Sequence, residues 1–488
     1  MPYIRGQDRN QPVLFPENID DHISSDNPIR VIDEYVEQLD MQELGFKFAV
    51  SPHKGRPPYR PKDLLKLYLY GGFNGVRSSR KLEKETHKNI EVMWLLGKLT
   101  PDFKTIADFR KDNKEALKKV YRDFNELCQE WGLYGREMVA IDSSKIKASN
   151  SKRNNYSKKK LKRQQKYIDE KIDKYLKDLE ENDKAESAER KPTTEEIEKR
   201  LKQLRQRKKK YESYEQKLEE EGKNEISTTD PDARLMSSNN NGVDVAYNVQ
   251  ITVDAKHKLV PDFEVITDPN DLGQLDDMAL RTKEIFGVDK LEVLADKGYY
   301  RTEDLKLCAE NGITPYVSKQ TYSNGTGERE FYPDRFKYEK EKDVYICPAG
   351  EELSYSRTRR DNKKQILGYN YKNFQACQRC SHIEKCTKSK RGRTIFRHVD
   401  QDFLDTIDVE TGENKNKYQL RTLLVEHPFG TIKRFWNMYY FLTRGRSSVK
   451  AEAALSFMTY NLKRAINVLG VEEMIKRLKQ RQRKPVLT

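Results

Sequence analysis

Two short apolar runs that each end in an aspartate most constrain the fold of this chain. Met138–Ile141 is followed by Asp142, and Leu291–Ala295 is followed by Asp296. Runs of this length and composition are typical of buried strands. If the two strands are neighbours, their carboxyl ends meet at one edge of a sheet and bring both carboxylates together. Because Mg²⁺ prefers a few carboxylate oxygens together with water and substrate oxygens, this pattern predicts a divalent-metal site.

The segments between and after these runs predict an α/β sheet of mixed strand direction. Val243–Val253 alternates like a half-buried strand, and Leu259–Ile266 returns after a short turn, which indicates a hairpin. Apolar residues at helical spacing predict helices over Asp277–Phe286 and residues 303–311, and Ile313–Val317 predicts a further strand. A strand-end aspartate more often caps a turn or faces solvent, so these two carboxylates alone do not establish a function.

The first 120 residues predict a helical module with an excess of positive charge. Arg60–Tyr70 follows a helical pattern that Gly71 and Gly72 are expected to stop, and another helix is predicted over Ser78–Leu96. Residues 51–120 contain 17 Lys and Arg against 8 Asp and Glu, a local excess of +9. Such a module suits contacts with DNA phosphates, as in helix-turn-helix domains. The alternative is a solvated basic face on a helical bundle.

Residues 151–220 are so rich in charge that they predict a separate helical insertion. Of these 70 residues, 39 are charged, and the few apolar ones fit two heptad frames on either side of Pro192. The simplest structure is an antiparallel coiled-coil hairpin over 151–222, with arms of about 26 residues and roughly 40 Å each. Such an arm would grip DNA, pair with another subunit or act as a solvated spacer, and the sequence leaves these three roles open. The heptad positions are Leu161, Ile168, Ile172, Tyr175 and Leu179 in the first arm and Ile197, Leu201, Leu204, Tyr211 and Leu218 in the second.

Four of the six cysteines lie within forty positions, and their spacing predicts a small zinc-binding insertion over 341–400. One pair has the CxxC spacing of a zinc knuckle, and a Cys-Pro-Ala-Gly turn would present another thiolate. We expect such a module to be polar, with almost no apolar core of its own. His382 or His398 is an alternative ligand, and free structural thiols are the alternative to zinc. The four predicted ligands are Cys347, Cys377, Cys380 and Cys386.

Length and charge limit the classes of function. The 488 residues carry 93 Lys and Arg against 78 Asp and Glu, a formal charge of +15 that makes polyanions the first partners to consider. No run of about eighteen apolar residues occurs, and the N-terminus has no apolar stretch, so neither a membrane span nor secretion is expected. These features predict a cytoplasmic protein.

Four sequence words around the candidate carboxylates resemble bacterial insertion-sequence transposases of the DDE class. They are VAIDSSKIKA around Asp142, AYNVQITVDAKHKLV at 246–260, VLADKGYY around Asp296 and YQLRTLLVEHPFGTIKR at 418–434. The chain resembles in particular the IS-eleven-eighty-two group, which is related to the IS-four superfamily. The resemblance covers nearly the whole chain, since the words GRPPYRPKDLL and TIADFR are similar to the family's helical N-terminal domain.

The resemblance implies a ribonuclease H-like fold with the catalytic triad Asp142, Asp296 and Glu426. In the mechanism of the family, two Mg²⁺ (or Mn²⁺) ions bind the triad, water cuts a DNA strand at the element end, and the resulting 3′-hydroxyl attacks target DNA. The ions bridge the attacking and leaving oxygens of an in-line displacement. The implied partners are double-stranded DNA, as terminal inverted repeats and as target, and a second copy of the chain in a synaptic homodimer.

A Tyr, Arg, Glu and Lys series marks the helix that carries the third acid in this superfamily, and Tyr418, Arg421, Glu426 and Lys433 match it. The usual spacing has three residues between Arg and Glu, whereas this chain has four. The resemblance implies that Tyr418, Arg421 and Lys433 hold phosphates near the cut or stack on an extruded base. Core packing is an equal alternative for Tyr418. Pro428 is expected to start or kink the helix between Glu426 and Lys433.

These interpretations give the chain a domain order and an expected function. Glu452, in a helix predicted over Val449–Val468, is the nearest competitor for the third acid. The expected function is that of a metal-dependent DNA transposase of the bacterial cytoplasm, associated with the nucleoid; a structure-selective ribonuclease H-like nuclease and a non-catalytic, transposase-derived DNA-binding protein are the alternatives. The segments are a helical N-terminal DNA-binding domain (1–130), two parts of the ribonuclease H-like core (137–150 and 225–340), the helical hairpin (151–222), the Cys-rich, zinc-ribbon-like insertion (341–400), the C-terminal part of the core (410–470) and a basic tail (471–488).

Overall fold

The N-terminal part of the chain is helical. The computed structural model describes residues 18–53, 57–184, 194–238, 242–320 and 322–481. The expectations for Pro192, for 1–17 of the N-terminal domain, for 55–56 of the GRPPYRPKDLL word and for 482–488 of the basic tail lie outside the described residues. The N-terminal helices are α1 (Ile29–Gln38), α2 (Pro61–Phe73), α3 (Ser79–Lys88), α4 (Ile90–Leu95), α5 (Phe103–Asp112) and α6 (Lys114–Glu130).

The expected helix stop at Gly71 and Gly72 is wrong, because both glycines lie inside α2. Close packing explains why glycine is present there. A Cβ atom at Gly72 would lie 2.6 Å from Oγ1 of Thr459, and one at Gly71 would lie 2.5 Å from the carbonyl oxygen of Val76. The two glycines therefore let α2 approach a later helix and its own following turn, at the usual cost in helix propensity.

The single helix expected over Ser78–Leu96 is also wrong, since α3 ends at Lys88 and α4 begins at Ile90. Asn89 lies between them in an extended conformation. Its side-chain oxygen accepts hydrogen bonds from the N–H groups of Glu91 and Val92, so it caps the second helix. An asparagine inside an apolar pattern was the signal for this boundary.

Strand β1 (Met138–Lys147) leads into two long helices that pack against each other. Each helix is 27 residues long, and two short antiparallel strands join their bases. Leu161 and Ile168 of the first helix and Tyr211 and Leu218 of the second are buried between them. These residues occupy the heptad positions read from the sequence. The elements are β2 (Asn155–Ser157), α7 (Lys158–Lys184), α8 (Thr194–Glu220) and β3 (Glu225–Ser227).

The central layer is a mixed sheet of six strands with helices packed against it. Its strands and the helices between them are β4 (Arg234–Ser238), β5 (Gly242–Asp254), β6 (Asp262–Ile266), α9 (Leu275–Phe286), β7 (Leu291–Ala295), α10 (Thr302–Glu310) and β8 (Ile313–Val317). The order is β4-β5-β1-β7-β8, and β6 also pairs with β5. The pairs β4·β5, β5·β6 and β1·β5 are antiparallel, whereas β1·β7 and β7·β8 are parallel.

Strand β1 does not end at Ile141 as expected but continues to Lys147. Its two edges explain the difference. Pairing with β7 stops where Ile141 faces Ala295, whereas pairing with β5 continues until Lys147 faces Ala246. The antiparallel partner therefore keeps β1 extended beyond the point where its parallel partner turns away.

A second, five-stranded antiparallel sheet follows, with two short helices in the connection before its last strand. The expectation that this module lacks an apolar core is wrong, because Tyr345, Leu353, Tyr371 and Ile395 are buried together with Phe336. Aromatic residues supply most of this small core. The elements are β9 (Lys337–Glu339), β10 (Val344–Ile346), β11 (Glu352–Arg360), β12 (Ile366–Lys372), α11 (Phe374–Arg379), α12 (Ile383–Cys386) and β13 (Thr394–His398).

The C-terminal helices close the main core. They are α13 (Gln401–Glu413), α14 (Lys415–Gly430), α15 (Arg446–Leu469) and α16 (Val471–Lys479). Helix α14 packs against β1, β5 and β7, and α15 packs against α2, α6 and β6, so the N-terminal helices and the sheet share one hydrophobic core. Among the described residues, no helix is both long and apolar enough to cross a membrane.

The expectation that Pro428 starts a helix is wrong, because α14 begins at Lys415, whereas the expected kink between Glu426 and Lys433 stays a prediction. The helix passes through Pro428 to Gly430 and continues as a π-helical turn over Thr431–Phe435. Proline removes one backbone N–H from the hydrogen-bond ladder, and a π-helical turn, which is rare in proteins, follows three residues later. The helix therefore continues from Glu426 to Lys433, but it changes from α-helical to π-helical hydrogen bonding.

Candidate active site

The two predicted aspartates lie side by side in the sheet. Ile141 of β1 is the register partner of Ala295 of β7, and Asp142 and Asp296 are the next residues along these parallel strands. Both side chains are partly exposed. The negative charge of Asp296 is among the causes that raise the pKa of Asp142, which places the two carboxylates within electrostatic range. The structure thus brings together the pair that the strand pattern indicated.

Asp142 has a strongly perturbed environment. Burial raises the pKa of this carboxyl to about 6, and the charges of Asp296 and Asp271 add to the increase. The N–H of Ser143, 2.7 Å from Oδ1, and the guanidinium of Arg421 act in the opposite direction. Nη1 of Arg421 lies 3.2 Å from Oδ2. One arginine thus offsets only part of the burial and of the repulsion from two neighbouring carboxylates.

Asp296 is held by the turn that follows it. The residue caps a short 3₁₀ turn over Lys297–Tyr299, and its Oδ1 accepts a hydrogen bond of 2.6 Å from the N–H of Gly298. A Cβ atom at Gly298 would lie 2.8 Å from that oxygen, so a larger residue would displace the carboxylate. Steric crowding therefore explains why position 298 is a glycine.

Helix α14 brings Arg421 and Tyr418 to the aspartates. Arg421 makes the ion pair with Asp142, and its guanidinium carbon lies 5.9 Å from the centre of the Tyr418 ring. Tyr418 is partly buried against the main core. The structure thus shows core packing of Tyr418, and its contact with DNA stays a prediction.

Glu426 lies on the same helix but on a different side. Glu426 comes five positions after Arg421, which turns its side chain by about 140° around an ideal helix. Glu426 is exposed and lines a cavity of about 410 Å³ together with Lys145, Lys147 and Lys433. Because four residues rather than three lie between Arg421 and Glu426, the acid projects from a different side of the helix than the arginine.

Lys433, from the π-helical turn, faces strand β1. Its Nζ donates to Oγ of Ser144 and to the carbonyl oxygen of Lys145, the latter at 3.3 Å. Burial and the charge of Lys145 lower the pKa of Lys433 to about 8, against the opposing effect of Asp142. Lys433 and Glu426 thus line the same cavity.

Glu452, the competitor for the third acid, has a structural role instead. It is 4% exposed and makes an ion pair with Arg77 at 2.9 Å. Its carboxylate also accepts hydrogen bonds from the N–H groups of Leu442 and Thr443 and from the Thr443 hydroxyl. The fully bonded carboxylate anchors the loop before α15.

Sequence reasoning missed a further acid, Asp271, in the loop between β6 and α9. Its Oδ1 accepts hydrogen bonds of 2.8 Å from the side-chain amides of Asn248 and Gln250, and Nζ of Lys145 lies 3.4 Å from Oδ2. The signal was present in β5, where Asn248 and Gln250 interrupt an apolar strand at alternate positions. Amides that are fully buried on one face of a strand require a polar partner from elsewhere.

The four clustered cysteines line one small cavity in the second sheet module. They form no disulfide. Burial raises the pKa of Cys386 to about 11, and the other three thiols contribute to the increase. Nevertheless, within the described part of the chain no group of three or more His, Cys, Asp or Glu side chains is arranged to hold a metal ion. Zinc binding by Cys347, Cys377, Cys380 and Cys386 stays a prediction.

Comparisons with known proteins point to transposases at both ends of the chain. Residues 17–112 match a family model described as a transposase domain (DUF772), and residues 346–466 match one described as a transposase DDE domain. The second match contains α14 with Glu426, whereas Asp142 and Asp296 lie outside both. Together the matches support a DDE transposase, and a DDE domain implies a requirement for a divalent metal ion.

The other two comparisons add little. No curated protein matches the chain. Among solved structures, the chain is similar to a piggyBac transposase in a synaptic complex with hairpin DNA, at 9% identity and a TM-score of 0.30, over 95% of this chain and 83% of that one. A likeness this low carries no argument about function.

The shifted pKa of Lys433 predicts a pH-dependent stability. Below about pH 8 the native state holds a buried ammonium, which destabilises it relative to the unfolded chain, where the pKa is about 10.4. This cost is released as pH rises from about 8 to about 10.4. Relative to Lys433→Met, the metal-free wild type should therefore gain about 2–3 kcal/mol over that range, measured by urea unfolding.

The exposed Lys388 supplies the control for this measurement. Lys388→Met should differ from the wild type by the same amount at pH 7 and at pH 10. A Lys433→Met difference that is equally constant with pH would show that the ammonium is not destabilised in the native state.

Proposed function

We propose that this protein is an insertion-sequence transposase that cuts DNA strands at the ends of its element and joins the resulting 3′-hydroxyls to target DNA. The observation that carries the proposal is the adjacency of Asp142 and Asp296 at the end of the β1·β7 pairing, with Arg421 of α14 on Asp142. The transposase domain matches on either side of this pair support the same function.

The acids fit a divalent cation such as Mg²⁺ or Mn²⁺. Burial and two neighbouring carboxylates raise the pKa of Asp142. When Asp142 and Asp296 are both ionised, a bound cation would therefore offset negative charge that the protein does not fully neutralise. Asp142 and Asp296 would hold the ions, and Glu426 would be the third acid. When bound, such ions supply activation of the attacking oxygen and stabilisation of the leaving oxygen.

The chain's own residues prepare this site in three ways. Arg421 favours the ionised form of Asp142 and orients it through the contact with Oδ2. Lys433 and Lys147, on the wall of the cavity with Glu426, would attract the phosphates that follow.

The six-stranded sheet would form the ribonuclease H-like core of this enzyme. Three antiparallel strand pairs continue into two parallel pairs, and the two aspartates lie at the parallel pair β1·β7. The segments 137–150 and 225–340 would belong to this core, and α14 within 410–470 would complete it. The hairpin over 151–222 and the sheet module over 341–400 would be insertions between them.

The basic modules would hold DNA, and two chains would hold two ends. Residues 51–120 contribute +9 and residues 151–220 contribute +7, from 23 basic and 16 acidic residues. Phosphate contacts by such surfaces are sequence-independent and fall with salt. Synapsis of two inverted repeats requires two copies of the site, so a homodimer would be the working unit.

Structural zinc in the second sheet module is part of the proposal. Cys347 begins a tight turn in which the N–H of Glu351 points at Sγ, 3.4 Å away, and Cys377, Cys380 and Cys386 line the same cavity. Backbone N–H groups that face a sulfur favour the thiolate form that zinc requires. The ion would close a module whose aromatic core is small.

Loss of any one acid should abolish cleavage. Asp142→Asn, Asp296→Asn and Glu426→Gln keep the side-chain size but remove the charge that holds the cation, so Mg²⁺-dependent cutting of labelled end DNA should fall to background. Binding of the same DNA in the absence of metal should stay within about twofold, since these acids do not contact phosphates. The exposed Glu413 gives the control, and Glu413→Gln should cut normally.

The same assay with a target plasmid separates three outcomes. Strand transfer supports the proposal, cleavage without transfer indicates a nuclease, and binding without cleavage indicates a DNA-binding protein that is no longer catalytic. Full cleavage by one of the three variants would remove that residue from the triad.

Zinc should be present at one atom per chain in protein purified without chelator, as measured by elemental analysis. Cys380→Ser should reduce this content and lower the unfolding temperature, because the module would lose its closing ion. Cys128→Ser, at a buried thiol outside the module, should leave the zinc content unchanged. If the wild-type protein contained no zinc, this part of the proposal would be wrong.

A further inference from the structure

We infer that Asp271 is a positioning residue, which holds the turn after Asp296 against strand β1 and so sets the relation of the two aspartates. The inference rests on the proposed function, because it concerns how the same site takes up its metal. Asp271 belongs to neither strand of the predicted pair, and its side chain is 18% exposed.

Asp271 is tied to the strand beside β1 through two fully buried amides. Asn248 and Gln250 of β5 both donate to its Oδ1 at 2.8 Å. In the β1·β5 register these residues face Lys145 and Ser143, so their side chains share a face with the segment directly after Asp142. One oxygen of Asp271 thus accepts two hydrogen bonds from the strand that keeps β1 extended.

The second link reaches the turn that Asp296 caps. Tyr299, the last residue of this turn, is fully buried, and its hydroxyl donates to Oε1 of Gln250. The Gln250 amide is therefore held from both sides, because its oxygen accepts from Tyr299 while its nitrogen donates to Asp271. This pattern fixes the orientation of the amide and requires an acceptor at Asp271.

The third link is the space around Gly298. A Cβ atom at this glycine would lie 2.8 Å from Oδ1 of Asp296 and 3.7 Å from Oδ2 of Asp271, so both carboxylates lie next to the same backbone position. Lys145 approaches Oδ2 of Asp271 at 3.4 Å and Oγ of Ser143 at 3.3 Å. The lysine balances the charge of Asp271 and adds a contact to β1.

These contacts form one continuous path from β1 to the Asp296 turn: Lys145 and Ser143, Asp271, Gln250, Tyr299. Besides this path, the last backbone pair of β1·β7 and the Gly298 N–H also help to set where Asp296 points. Residues that orient metal ligands in this manner change metal affinity by about 10- to 100-fold when they are replaced.

The test is Mn²⁺ binding to the full-length protein on end DNA, measured from the free Mn²⁺ signal in electron paramagnetic resonance. Asp271→Asn keeps the side-chain shape and removes the charge that Lys145 faces, and it should weaken Mn²⁺ binding by about 10- to 100-fold. Tyr299→Phe removes one hydroxyl at the far end of the path and should shift binding in the same direction. Affinity for end DNA without metal should stay within about twofold for both.

Asp268→Asn is the matched control, because it makes the same change in the same loop at an exposed side chain, and it should bind Mn²⁺ as the wild type does. If Asp271→Asn fails to fold, Tyr299→Phe decides the question. Wild-type binding by Tyr299→Phe, and by folded Asp271→Asn, would overturn the positioning role and leave the proposed function standing. A wild type that neither binds Mn²⁺ nor cuts end DNA would overturn both.

Discussion

The parallel pairing of β1 with β7 is the constraint on which the candidate site depends. It places Ile141 opposite Ala295, and the next residue on each strand is an aspartate. Because neighbouring strands are about 4.8 Å apart, two carboxylates at this position repel each other unless a cation lies between or beside them. Burial is the main cause of the raised pKa of Asp142, and the charge of Asp296 adds to it. A bound metal ion would reduce this repulsion between the two carboxylates.

Helix α14 places one arginine against Asp142 and carries the third acid on a different side. Arg421 reaches Asp142, but the four residues between it and Glu426 turn the acid towards the cavity of Lys145 and Lys433. The π-helical turn after Pro428 gives this segment a backbone irregularity of the kind that often accompanies functional sites.

Elements with a simple period were predictable from the sequence. The strands Leu291–Ala295 and Ile313–Val317 have the bounds that their apolar runs indicated, because each is buried and flanked by polar residues. The two carboxylates followed from the same runs. What could not be predicted depends on a partner distant in the chain.

The misses share that cause. β1 is longer than its apolar run because β5 pairs along it, and the glycines of α2 lie inside the helix because Thr459 packs against Gly72. Asp271 could not be identified from the sequence, because the sequence does not show which acid contacts the amides about twenty positions earlier. The one-residue change between Arg421 and Glu426 was visible in the sequence, but its consequence depends on which helix face meets the sheet.

The most direct measurement of the central claim is the position of Mn²⁺ in a crystal of the protein with end DNA, located from anomalous diffraction at the manganese edge. The account predicts anomalous density bonded to carboxylate oxygens of both Asp142 and Asp296. Manganese density elsewhere in the crystal, with both of these carboxylates free of metal, would contradict it.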